Sequence, residues 1–299
     1  MKHTMKVTIL LVLVFLVIQV FGLMVVNADI STQLSPVTGQ VTIEHSENVA
    51  ERPQTEGASS MIYILIGIGL GTVIILILMK LKQVKIWLLF YLFAVWLTIS
   101  MTFGVFIPST FAMLFALALA IMKLVSKDIV IHNFTELFIY SGIAVFFAPV
   151  LDILWVTVLL ILISIYDMFA VWKSKHMVGM AKFQTESKVF AGLMIPYENV
   201  RKISSGKTSS GKKVSTAILG GGDIAFPLIF SSVVMEQLVT SYSIVKSVAL
   251  LKVMIIPIIV SLVLLWLLVK GEKGKFYPAM PFVTIGCLAG YGLLMRSLL

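Results

Sequence analysis

Cysteine occurs once in this 299-residue chain, at Cys287, which excludes an internal disulfide and any Cys-based zinc cluster. Charge is scarce as well. Only 12% of the residues are charged and 59% are hydrophobic, whereas soluble domains carry roughly 25% charged residues. The four histidines (His3, His45, His132 and His176) contain no HExxH pair, and no GxSG-type tract occurs. Metal-dependent and serine-type cleavage therefore both lack their residues, and no metal and no cofactor is expected. The tract Gly206-Lys207-Thr208-Ser209-Ser210-Gly211-Lys212-Lys213 approaches a phosphate loop, but Lys213 stands where Mg²⁺ binding needs Ser or Thr, and no strand precedes it. The net charge is +9 and the pI about 9.5. The basic residues lie in short stretches between apolar runs, which points to membrane orientation rather than nucleic acid.

What the chain has in abundance is long apolar runs. A span needs about 20 apolar residues to cross roughly 30 Å of hydrocarbon. This spacing predicts an all-α polytopic membrane domain, 1–299, with nine transmembrane helices at about 7–26, 61–79, 86–106, 108–122, 132–148, 153–172, 217–239, 249–269 and 279–298. The first run follows Met1 to Lys6 as a signal peptide would, and Val26-Asn27-Ala28 resembles a cleavage site. Its length exceeds the roughly 7–15 apolar residues of a signal segment, so a retained helix is expected.

Charge placement predicts the orientation. With the N-terminus cytoplasmic, the inside segments hold 2, 3, 2, 9 and 3 Lys/Arg in chain order, 19 of the 23. The C-terminus is then outside. Residues 27–60 are expected to form an irregular outside loop, and 173–213 a basic, flexible inside loop.

Two acids interrupt the apolar runs. Asp167 lies deep in the sixth predicted span, and Asp223 follows Gly220-Gly221-Gly222 in the seventh. Each costs about 2.5–3.5 kcal/mol to insert, and neither span holds a Lys or Arg around it. Asp167 precedes Lys173 by about 9 Å of helix. A seventh helix starting near Thr216 puts Asp223 at a similar depth, roughly 10 Å. Neighbouring carboxyls share one proton and titrate as a unit. In that state one member takes a proton from water while the other protonates the substrate side. The alternatives are isolated polar contacts between helices, or a cation or proton pathway using the same carboxylates. Glu136, Asp152 and Glu236 do not form a continuous polar path with them in the sequence reading.

The glycines allow close backbone approach and unusual dihedrals beside Asp223, and Pro227 frees a backbone carbonyl. Tyr277-Pro278-Ala279-Met280-Pro281 opens the ninth span with two donors missing. Tyr166 is placed to orient a carboxyl through its hydroxyl or simply to pack.

Tyr166-Asp167, Gly220-Gly221-Gly222-Asp223 and Pro278-Ala279-Met280 together resemble the YD, GxGD and PAL motifs of presenilins and signal peptide peptidases. Order, spacing and host spans agree over the C-terminal half, and the early spans match in number. The chain resembles the compact presenilin homologues of archaea, with Met280 in place of the family's Leu. The resemblance implies an intramembrane aspartyl endopeptidase in which Asp167 and Asp223 are catalytic. Tyr166, Gly220, Gly221, Gly222, Pro278, Ala279, Met280 and Pro281 would shape the site or contact substrate. It also implies that substrates are transmembrane helices reached from the lipid bilayer, pairing as a strand near the loop before the seventh span. Part of 200–216 is expected to order on substrate binding. No nucleic acid is expected as a partner, and a homo-oligomer is compatible with the sequence.

Overall fold

The computed structural model describes residues 5–34, 41–46, 49, 57–81, 83–126, 128–174, 190–196, 216–271 and 277–298. The phosphate-loop-like tract 206–213 and nearly all of 200–216 lie outside the described residues.

Helices dominate because the apolar runs satisfy their own backbone groups only as helices in lipid. They are α1 (Met5–Asp29), α2 (Ala58–Lys80), α3 (Val84–Gly104), α4 (Ser109–Val125), α5 (Ile129–Phe147), α6 (Ile153–Phe169), α7 (Gly222–Thr240), α8 (Lys246–Val253), α9 (Ile255–Lys270) and α10 (Met280–Arg296). The pair α8–α9 is one apolar span interrupted at Met254. Among the described residues, seven segments are long and apolar enough to cross a membrane, and α4 and α10 are shorter apolar helices. Among the described residues, nine helical segments follow one another as the sequence predicts.

Close packing depends on small residues, as in lipid no hydrophobic force drives helices together. A Cβ on Gly142 of α5 would strike the Thr98 carbonyl of α3. A Cβ on Gly290 of α10 would come within 2.9 Å of the Ile256 Cα of α9. The core is centred on α1 and α7, with Phe15, Leu23, Leu228 and Phe230 all fully buried.

Two short antiparallel hairpins depart from the all-helical expectation. The first, β1 (Ile30–Leu34) with β2 (Val41–His45), occupies the segment expected to be irregular. Asp29 anchors it by accepting from the Ser46 hydroxyl and bonding His45 Nδ1 at 2.9 Å. The second joins β3 (Gly192–Pro196) to β4 (Thr216–Gly220), with Gly192 opposite Gly220 and Met194 opposite Ile218. The helix expected to start near Thr216 therefore starts at Gly222. The glycine run breaks the segment into strand, turn and helix, and Asp223 sits in the first turn of α7 rather than two turns in.

Candidate active site

Asp167 lies on the buried face of the last turn of α6 and is 4% exposed. Beyond it the helix widens into a π-turn over Ala170–Ser174, a local loosening often found at functional sites. The opening of α10 meets this carboxylate. The Met280 amide donates to Asp167 Oδ2 at 3.1 Å, and the Ala279 amide is also turned toward it. The first amides of a helix have no partner within it and favour an anion. Pro278 and Met280 are buried, and Pro281 occupies the first turn of α10, where a missing N–H costs nothing. One turn further in, the Ser164 and Thr284 hydroxyls bond at 2.7 Å and tie α6 to α10. Asp167 Oδ1 is buried with no hydrogen-bond partner among the described residues.

Asp223 reaches the same place from the other side. The Gly220 amide is turned to its carboxylate, and the two acids lie in each other's electrostatic field. The glycines act through space rather than dihedral freedom, for none of Gly220, Gly221 and Gly222 has a positive φ. A Cβ on Gly220 would sit 3.1 Å from Asp223 Oδ2. On Gly221 it would sit 2.9 Å from the Tyr140 hydroxyl and 3.3 Å from the Ala191 carbonyl, which accepts the Gly221 amide at 3.2 Å. Gly222 has only ordinary contact, with the Phe226 ring at 3.5 Å. Pro227, inside α7, donates no amide to the Asp223 carbonyl one turn back.

Of the sequence-derived site residues, the fold brings together Asp167, Asp223, Gly220, Gly221, Ala279 and Met280, with Gly222, Pro278 and Pro281 adjoining them. Tyr166 is the exception. It is 47% exposed, because one residue along a helix turns the side chain about 100° from Asp167. Among the described residues its hydroxyl bonds no carboxyl.

Several polar residues around the site carried little signal in the sequence. Gln19, fully buried in α1, donates through Nε2 to the Ile224 carbonyl at 2.8 Å, next to Asp223. A lone amide inside the first apolar run was the available clue. Lys123, counted in the sequence as an inside-loop charge, is buried in the last turn of α4 and pairs with Glu136 at 2.7 Å. Glu136 is thus neutralised within the bundle. Asp152 caps the far end of α6, and Glu236 lies at the far end of α7. Among the described residues this arrangement gives the cation-pathway alternative no file of acids to use.

A cavity of about 880 Å³ opens between α2, α3, α5 and α7 and ends against Ala191, Gly221 and Gly222. Its wall is mostly apolar, with Glu136, Tyr140 and Tyr91 meeting it near the glycine turn and Ser60, Tyr63 and Thr98 elsewhere along it.

The family model described as signal-peptide peptidase, presenilin aspartyl protease matches residues 14–297. Two solved structures of a presenilin family intramembrane aspartate protease, in space groups C222 and P2, share this fold with a TM-score of 0.56 each. The first is 17% identical and covers 94% of this chain and 99% of its own. The second is 18% identical and covers 96% of each. No curated protein matches the chain.

Proposed function

Because the chain belongs to the signal-peptide peptidase, presenilin aspartyl protease family and is an intramembrane aspartyl endopeptidase, we propose that Asp167 and Asp223 are its catalytic pair. The observation that carries this assignment is the asymmetric holding of Asp167. The Met280 amide fixes one carboxylate oxygen, the other is buried and unpartnered among the described residues, and the two carboxyl groups interact electrostatically. Paired carboxyls of this kind hold one proton between them. The ionised member accepts a proton from water as the oxygen attacks the scissile carbonyl. The protonated member hydrogen-bonds that carbonyl oxygen, and a proton then passes to the leaving amine. No metal or covalent intermediate enters.

Substrates are transmembrane segments in the bilayer. The cavity between α2, α3, α5 and α7 suits the apolar part of such a segment and leads to the glycine turn. Helical peptide hides its carbonyls, so the cleaved stretch must unwind. The hairpin supports strand pairing as the means. Asn133 uses its side chain to bond both the carbonyl and the amide of Met194, at 2.8 and 3.1 Å. Met194 therefore faces away from β4, the outer edge of β3 is filled, and the Ile218 backbone points to the open edge of β4. Pairing there is β-augmentation and delivers the peptide beside Asp223. Basic-residue placement supports a cytoplasmic N-terminus and an outside C-terminus, with the acids toward the cytoplasmic face.

The test is cleavage of a single-span peptide by the purified chain in liposomes. Asp167→Asn and Asp223→Asn should each abolish turnover. Retained cleavage in either variant removes that residue from the mechanism, and ion flux lost with the same changes would restore the pathway reading.

A further inference from the structure

One face of α5 carries His132, Glu136 and Tyr140 at intervals of four residues, so the three side chains stack along the helix. Glu136 and Tyr140 are 1% and 3% exposed, an unusual depth for a carboxylate and a hydroxyl in an apolar bundle. The Lys123 ammonium organises the group. It donates to Glu136 Oε1 at 2.7 Å, Thr135 Oγ1 at 2.9 Å and His132 Nδ1 at 3.2 Å. With Nδ1 accepting, Nε2 is the ring N–H, and it donates to the Gly192 carbonyl at 2.8 Å. Gly192 has a φ of +144° and faces Gly220 across the hairpin.

The opposite end of the stack meets the other strand. The Tyr140 hydroxyl lies against Gly221, close enough that a Cβ there would approach it to 2.9 Å. It is turned toward the Glu136 carboxylate and lies in the field of Asp223, without a hydrogen bond of ordinary geometry among the described residues. The stack thus reaches both ends of the strand pair next to the acids: the start of β3 through His132 and the turn after β4 through Tyr140.

We propose that this α5 stack, Tyr140 and Glu136 held by Lys123, positions the Gly220–Gly222 turn and with it the Asp223 carboxylate. Tyr140 and Glu136 are positioning residues for the reaction. The inference rests on the catalytic assignment made above. A buried ion pair is a costly way to gain stability alone. Here it sits between His132, which bonds Gly192, and Tyr140, whose hydroxyl lies over the one residue that separates strand from helix.

The experiment measures steady-state cleavage of a synthetic peptide with one apolar span of about 20 residues, by the full chain in liposomes. Tyr140→Phe keeps the ring and removes only the hydroxyl. It should lower kcat about tenfold, because the hydroxyl's contact with Gly221 is lost, with KM and the thermal midpoint essentially unchanged. Glu136→Gln should lower kcat at least as far. Tyr242→Phe, beyond the far end of α7 and not among the residues lining the cavity, should change neither constant. A Tyr140→Phe enzyme with wild-type kcat overturns the proposal, as does a loss in both variants that follows KM or the amount of folded protein. Should Glu136→Gln fail to fold, Tyr140→Phe decides alone. Asp223→Asn run alongside separates the two ideas. Inactive Asp223→Asn with intact Tyr140→Phe sinks the brace, whereas active Asp223→Asn sinks the catalytic assignment itself.

Discussion

α2 and α7 are both membrane-length helices, yet their surroundings are opposite. The apolar window of α7 is 67% buried, and it is the least apolar of the seven long spans. That of α2 is 11% buried and strongly apolar. A helix enclosed by protein can carry a buried acid such as Asp223 away from lipid, whereas a helix facing lipid cannot. Low hydropathy thus marks the segment that carries the proposed catalytic Asp223. A uniformly apolar helix with little protein around it forms the outer wall of the cavity. The cavity lies between these two extremes.

This contrast can be broken or sharpened by substitution. The largest effect is expected in the enclosed helix: Asp223→Asn should cost at least about 10³-fold in kcat, with Asp167→Asn similar and folding retained in both, measured by peptide cleavage and thermal unfolding. Next is Gly221→Ala. Its new methyl meets the Tyr140 hydroxyl and the Ala191 carbonyl, so the turn must shift, and a loss of roughly 10–100-fold in kcat is expected. Gly142→Ala drives a methyl into the Thr98 carbonyl. It should destabilise the α3–α5 contact by about 1–3 kcal/mol, read as a lowered thermal midpoint. Gly71→Leu on α2 has open space around it and lines the cavity. It should leave the midpoint unchanged and raise KM several-fold by occupying substrate room. Leu70→Ala, on the exposed side of α2, should change neither measurement. An unaltered KM in Gly71→Leu would detach the cavity from substrate binding.

Much of this was legible in the chain itself. Apolar length alone marks the helical segments, and three short motifs in the sixth, seventh and ninth segments point to the acids and to the Ala279–Met280 turn. The failures have physical causes. Thr216–Gly220 is apolar enough to continue a helix, and only pairing with β3 makes it a strand. Tyr166 adjoins Asp167 in sequence, but helical rotation turns it outward. Lys123 ends an apolar run like any loop lysine, and its partner Glu136 lies across a helix turn that hydropathy does not resolve. Gln19 bonds a carbonyl more than two hundred residues away, a contact that no local pattern encodes.

The absence of slack between β4 and α7 has a consequence of its own. The strand ends at Gly220, the helix begins at Gly222, and only Gly221 intervenes. Under the proposed function, strand and acid are two arms of one lever joined at Gly221. A guest peptide that zips fully along the strand pulls the lever into alignment, and one that grips only part of it leaves the acid off its mark. Fidelity in such an enzyme is then a matter of mechanical seating, sensed at a distance of three residues.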